Sequence, residues 1–158
     1  MLFRSSKVQG HVVFANNSPV KGVAIKLINQ THVNTSMSIA KFKFDSTDVN
    51  GFFEFDSVDT GMYWISVNYM DSLGALAEAV IPKTDTTVNV NAVLQGVGGI
   101  TGRIDSTLMH TGYPVLVYIP QLGLNVFVDS LGNFNLPFVP SANYNLFVVV
   151  NGLIITTP

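Results

Sequence analysis

Apolar and polar residues alternate along most of this chain in short runs. In FFEFDSV, starting at Phe52, residues Phe53 and Phe55 share one face of an extended segment; in YWISV, starting at Tyr63, Tyr63, Ile65 and Val67 do the same. A period of two marks a half-buried strand, because successive side chains point to opposite faces. No segment sustains an apolar period of 3.6 residues. The most helix-friendly run, LGALAEAVI at 73–81, is short and reads as a strand. Turn signals interrupt the runs: NNSP at 16–19, DVNG at 48–51, DTG at 59–61, DSLG at 71–74 and 129–132, GVGG at 96–99 and NG at 151–152. Gly supplies positive φ in such turns, and Asn or Asp closes them with its side chain. The pattern predicts an all-β chain.

It is also written twice. A shift of 92 positions carries Gly10, Val23, Ile25 and Leu27 onto Gly102, Val115, Val117 and Ile119. A shift of 81 carries Asp48, Gly51, Phe53, Phe55 and Tyr63 onto Asp129, Gly132, Phe134, Leu136 and Tyr144. The difference of 11 residues places an insertion in the first copy, near 31–42. The expectation is two tandem Ig-like, transthyretin-like β-sandwich domains: residues 1–96 with about seven strands, and 97–158 with about six.

The repeated residues have a folding role. Asp-x-x-Gly makes a tight hairpin turn. Phe53 and Phe55 then supply one inward face, and Tyr63, Ile65 and Val67 the facing one. After Tyr63 the first copy has two more strand-like segments, ALAEAVI at 75–81 and TVNVNAVL at 87–94; after Tyr144 the second has one, LIITTP at 153–158. A copy one strand short presents an open edge. Either a strand from elsewhere completes it, or the sequence is a fragment whose own next strand is not included.

VQGHVVFANNSPVKGVAIKLIN followed by STDVNGFFEFDSVDTGMYWISV resembles the carboxypeptidase regulatory-like domain, a transthyretin-like sandwich of seven strands. The resemblance covers residues 8–70 well and 99–150 loosely, where Ala142 and Asn143 stand in place of the Gly before the Tyr. It implies an accessory module of an exported protein and says little about function. In the related collagen-adhesin B-type domains a Lys on the first strand and a Glu on the Tyr-bearing strand support a Lys–Asn isopeptide bond. Here the corresponding stretches read Val12-Val13-Phe14 and Ser66-Val67-Asn68, so the resemblance does not extend to that crosslink.

Composition narrows the chemistry. Charged residues are 11% of the chain and the net charge is −2, which leaves no basic footprint for nucleic acid or an anionic membrane. Residues 97–158 carry only Arg103, Asp105 and Asp129 as charges, a surface poorly protected against association. Cysteine is absent, which removes disulfides, zinc-thiolate sites and thiol catalysis. No apolar run reaches the length of a membrane-spanning helix. Asp45, Asp48, Asn50, Asp56 and Asp59 cluster in sequence, but they lack calcium-loop order and read as turn formers. His11, His32 and His110 show no metal-ligand spacing. No catalytic motif, metal site or cofactor site emerges, and the chain reads as a non-enzyme.

The candidate surface is therefore one of association. Trp64 and Phe52 alternate with inward residues and should face outward. There they could be covered by the insertion or the second copy, be hot spots for a protein partner, or be platforms for a sugar. Leu2 and Phe3 are candidate anchors of a donated N-terminal strand, and Leu153, Ile154 and Ile155 belong to the incomplete end. The expected function is a structural module of an exported or cell-surface bacterial protein, associating with neighbouring copies or other domains and building a filament by strand exchange. The alternative is an accessory carbohydrate-binding module of a larger secreted protein.

Overall fold

The computed structural model describes residues 5–30, 42–109 and 112–155. These form fifteen strands and one helical turn, α1 (Ser106–Met109). The fold is all-β.

The first sandwich is built on β1 (Ser6–Val13). One side of β1 pairs antiparallel with β4 (Phe52–Val58), and the other pairs parallel with β7 (Thr87–Asn89) and β8 (Ala92–Val93). The facing sheet runs β3 (Phe42–Ser46), β2 (Ala24–Asn29), β5 (Gly61–Tyr69), β6 (Leu73–Ile81), β9 (Gln95–Gly96), all antiparallel. Val8, Val12, Phe53 and Phe55 of one sheet meet Ile25 and Ile65 of the other in a common buried core. Burial of each such side chain stabilises the fold by about 1.5–3 kcal/mol.

The second sandwich is smaller. β10 (Gly98–Arg103) pairs antiparallel with β13 (Asn133–Val139) in a two-stranded sheet. Facing it lie β12 (Leu124–Phe127), β11 (Val115–Ile119), β14 (Phe147–Val150) and β15 (Leu153–Ile155), in that order. Val117, Ile119, Leu122, Leu136 and Val139 form its core.

The Asp-x-x-Gly turns do not close the hairpins that the sequence pattern indicated: one leads from β3 into β4 and the other from β12 into β13, each crossing to the facing sheet, and side-chain chemistry fixes them. Asp48 Oδ1 accepts the amides of Asn50 at 2.8 Å and Phe52 at 2.9 Å, and Asp129 Oδ1 accepts those of Leu131 at 2.9 Å and Asn133 at 2.8 Å. The turn glycines are required twice over. Gly51 and Gly132 have φ of 75° and 88°, and a Cβ there would lie 2.5 Å from the Val12 carbonyl oxygen and 2.6 Å from that of Ile104. The tyrosines are corner residues, each hydroxyl donating four residues back: Tyr63 to the Asp59 carbonyl at 3.0 Å and Tyr144 to the Pro140 carbonyl at 2.8 Å.

Residues 73–81 form a strand, as the shortness of the run indicated. The segment 87–94 is different: it breaks between β7 and β8. At the break Val90 N–H still donates to the Gln9 carbonyl at 2.8 Å, but the Asn91 side chain replaces the ladder by accepting His11 N–H at 3.1 Å. The insertion expected near 31–42 falls, apart from Phe42, outside the described residues, as do Leu2 and Phe3.

The two sandwiches touch along β6 and β2. A Cβ on Gly74 would lie 2.8 Å from Pro140 Cγ, Leu76 packs against the second core, and Lys26 Nζ donates to the Leu122 carbonyl at 3.1 Å. A cleft of about 220 Å³ lies beside this seam, lined in part by Lys26, Phe44, Asn68, Leu124 and Phe138.

Candidate functional site

The two central strands, β1 and β10, are built alike on one side and differently on the other. On the like side, Gly10 faces Phe53 and Gly102 faces Phe134. Each ladder slips by one residue at its end: Ser6 pairs with Val58 but Val8 with Phe55, and Gly98 with Val139 but Ile100 with Leu136. This β-bulge holds Ser57 at φ 54° and Phe138 at φ 59°. Left-handed backbone is rare for a Phe, which gains nothing locally there. Val12 N–H donates to the Gly51 carbonyl at 2.8 Å, and Ile104 N–H to the Gly132 carbonyl at 2.8 Å.

On the other side β1 has β7 and β8, and β10 has no strand among the described residues. Parity identifies the open groups. Ladder pairing alternates along a strand, so Ile100, Gly102 and Ile104 turn their amides and carbonyls toward β13, and Gly99, Thr101 and Arg103 turn theirs outward. These three residues correspond to Lys7, Gln9 and His11. There, Lys7 N–H donates to the Thr86 carbonyl at 2.9 Å and the Gln9 carbonyl accepts Val90 N–H.

The core beneath reflects the same difference. Val8 and Val12 on β1 are 0% exposed and Phe53 is 1%; their counterparts Ile100, Ile104 and Phe134 are only half-buried. Leaving each of these partly wet forgoes on the order of 1 kcal/mol. At the start of β10 a hollow of about 310 Å³ opens, lined by Gly98, Gly99, Ile100, Val139, Ser141 and Tyr144 among others. In the first sandwich the equivalent end is occupied by the segment entering β7, with Ser6 Oγ donating to the Lys83 carbonyl at 3.2 Å and accepting Thr86 N–H at 3.2 Å. Burial pushes the Tyr144 hydroxyl up to about 12.

The other expected site residues lie apart. Phe52 is half-buried on the outer face of the β4–β1 pair, its ring edge-on to His11 at 5.4 Å. Trp64 is half-buried between its ladder partners Ile28 and Glu78 on the outer face of the larger sheet. Leu153 is 61% exposed on β15, while Ile154 and Ile155 are half-buried. The structure does not gather these into one patch. The residues that line the open edge, Ile100, Thr101, Ile104 and Phe134, were not among the sequence candidates; the strand count pointed to their sandwich but not to their strand. One sequence inference needs correcting. The first strand does carry a lysine, Lys7, but its amine faces solvent and pairs with Glu54 at 3.1 Å and Asp56 at 2.8 Å.

No protein-family model and no curated protein matches the sequence. Among solved structures, a streptococcal ancillary pilin is similar at 14% identity and TM-score 0.45, over 97% of this chain and 59% of its own. The TIE protein of Bacillus anthracis is similar at 16% identity and TM-score 0.46, over 95% of this chain and 32% of its own. The shaft pilin SpaA of Lactobacillus rhamnosus GG is similar at 11% identity and TM-score 0.44, over 94% of this chain and 88% of its own. The chain thus spans less than two thirds of the first two. Likenesses at this level carry no argument about function. Among the described residues no helix is long and apolar enough to cross a membrane.

Proposed function

We propose that this chain is a non-catalytic structural module of an exported or cell-surface bacterial protein, and that it works by association between copies. In this reading residues 97–158 are a second copy of the fold of residues 1–96, one strand short, and assembly supplies the strand. The supporting observation is the open side of β10. Its outward backbone has no strand partner among the described residues and lies over half-buried Ile100, Ile104 and Phe134, and residues 97–158 carry three charges in all. Open apolar edges of this kind are templates for pairing with another chain, and natural proteins usually guard them with charge or cover. Added head to tail, such a contact does not close on itself and extends into a filament.

The experiment is sedimentation or light scattering across a concentration series, with the native chain and Thr101→Pro. Thr101 N–H points away from β13, so proline costs the sandwich no ladder bond yet removes a donor from the open side. Mass should rise with concentration for the native chain and stay that of one chain for Thr101→Pro. A single-chain mass at every concentration, or a proline variant that assembles as before, would overturn the reading.

A further inference from the structure

We propose that the open side of β10 is a receptor for one parallel strand from another chain, an uncharged segment of about seven residues with apolar side chains at alternate positions, and that this strand displaces the ring of Phe134. The proposal rests on the association reading above and specifies what enters the edge.

Direction and register follow from the first sandwich. There the parallel partner aligns Thr87, Val88 and Asn89 with Lys7, Val8 and Gln9, and Ala92 and Val93 with Val12 and Val13. Because β10 and β13 repeat the register and bulge of β1 and β4, the same strand geometry falls on Gly99–Thr101 and Ile104–Asp105. The hollow of about 310 Å³ at Gly98–Ile100 is where such a strand enters, as residues 83–87 do in the first sandwich.

The chemistry of the strand follows from what it covers. In the first sandwich Val88 and Val90 are half-buried and Ala92 and Leu94 buried, while Thr87, Asn89, Asn91 and Val93 are exposed. The second sandwich offers Ile100, Ile104 and Phe134 to the same inward positions. A charged side chain set against them would be desolvated without a partner, so the inward positions must be apolar. Charge on the outward positions has little to meet, since Arg103 and Asp105 are the only charged residues on that stretch.

Phe134 reports on occupancy. A Cβ on Gly10 would lie 1.7 Å from the Val90 carbonyl oxygen, so the incoming strand in the first sandwich runs directly against the bare glycine. At Gly102 the same space is taken by the Phe134 ring, 2.6 Å from a Cβ placed there. Ring and strand cannot both occupy it. The half-buried ring therefore closes the empty site and must turn aside when the strand binds.

The test adds a synthetic peptide of residues 86–95, TTVNVNAVLQ, to the full chain, and follows amide hydrogen exchange and the Phe134 ring signals by NMR. Saturable slowing of exchange at Thr101 and Arg103, with a shift of the Phe134 ring, is expected. A peptide with Val90→Pro, lacking the N–H that Gln9 accepts in the first sandwich, should fail to protect. Gly102→Ala should weaken peptide binding at least about tenfold, because its methyl group fills the strand's path. Phe134→Leu, which removes the closing ring and keeps an apolar side chain, should bind at least as tightly as the native chain and keeps the test valid if the alanine variant is poorly folded. No protection at millimolar peptide, equal protection by the proline peptide, or Thr101 and Arg103 already protected in the dilute chain alone would each overturn the proposal. The two readings fail separately: peptide binding by a chain that never self-associates removes only the assembly between copies, and self-association without peptide protection removes only the strand receptor.

Discussion

Lys26 Nζ donates to the Leu122 carbonyl oxygen at 3.1 Å, joining β2 of the first sandwich to the turn between β11 and β12 of the second. The same ammonium lies 5.1 Å from the centre of the Phe42 ring, and burial lowers its pKa. A charged donor to a carbonyl in a half-buried seam contributes more than an exposed ion pair, offset in part by that desolvation. Lys26→Met keeps the apolar stem and removes the bond. The second sandwich should lose about 1 kcal/mol, seen as an earlier onset of melting in calorimetry. An unchanged melt would show that the seam is held by Leu76 and Pro140 without it.

Glycine substitutions on the two central strands should differ sharply. Gly10→Ala drives a methyl group into the Val90 backbone, which cannot retreat without losing the parallel ladder, and the cost should exceed about 4 kcal/mol. Gly102→Ala meets only the Phe134 ring, a side chain able to rotate, and should cost about 1–2 kcal/mol. Urea unfolding of both variants measures the difference; equal losses would mean that the ring at Gly102 is fixed.

The corner tyrosines should be sensitive to alkali. Burial raises the Tyr144 pKa to about 12, and the Tyr63 pKa also rises, chiefly through burial. A group whose pKa is raised on folding contributes stability that is complete below its unfolded value, about 10 for tyrosine. That contribution is lost as pH rises through the folded value. Burial raises the Tyr118 pKa as well, so native-state absorbance titration should show three of the five tyrosines ionising late, with the second sandwich loosening between about pH 10 and 12. Tyr144→Phe should abolish the latest step and cost about 1 kcal/mol for the lost bond to Pro140.

Acid acts through Asp129. The backbone amide of Asn133 is the main cause of its lowered pKa, helped by the Asn133 side chain and the Leu131 amide. The sign is opposite to that of the tyrosines: the contribution is complete above about pH 4 and is lost as pH falls through the lowered value. Asp129→Ala should flatten the acid limb of the stability curve and free the turn between β12 and β13, readable as faster exchange at the Asn133 amide.

Much of the fold was legible because its signals are local. Asp48, Gly51 and Tyr63, and their later counterparts, state a turn, a strained position and a corner within a few residues of sequence. Alternation gave the inward faces of β4 and β5 for the same reason. The open edge was legible only as a number of strands. Assigning it to β10 required knowing that residues 87–93 pair parallel with β1, a contact between segments about 80 positions apart that no local pattern encodes. Phe138 was unreadable in another way. A Phe does not advertise a φ of 59°, and its place is dictated by the bulge opposite Gly99 rather than by its own preference. The break at Val90 and Asn91 depends on the missing side chain of Gly10, a packing fact of the same non-local kind.

The parallel pairing of β1 with residues 87–93 has a consequence in time. During synthesis β1 is made first, and its parallel side waits until roughly 80 further residues have emerged, on the order of ten seconds of translation. β10 follows only a few residues after the strand that β1 awaits, and it presents a groove of the same register. For a brief interval two grooves of like register are open at once. The short link from Val93 to Gly98 bars that strand from lying along β10 of its own molecule, so the second pairing is open only between molecules. Crowded ribosomes, or refolding at high concentration, therefore favour chains that have lent residues 87–93 to a neighbour, whereas slow dilute refolding lets each chain seat that strand on its own β1 first.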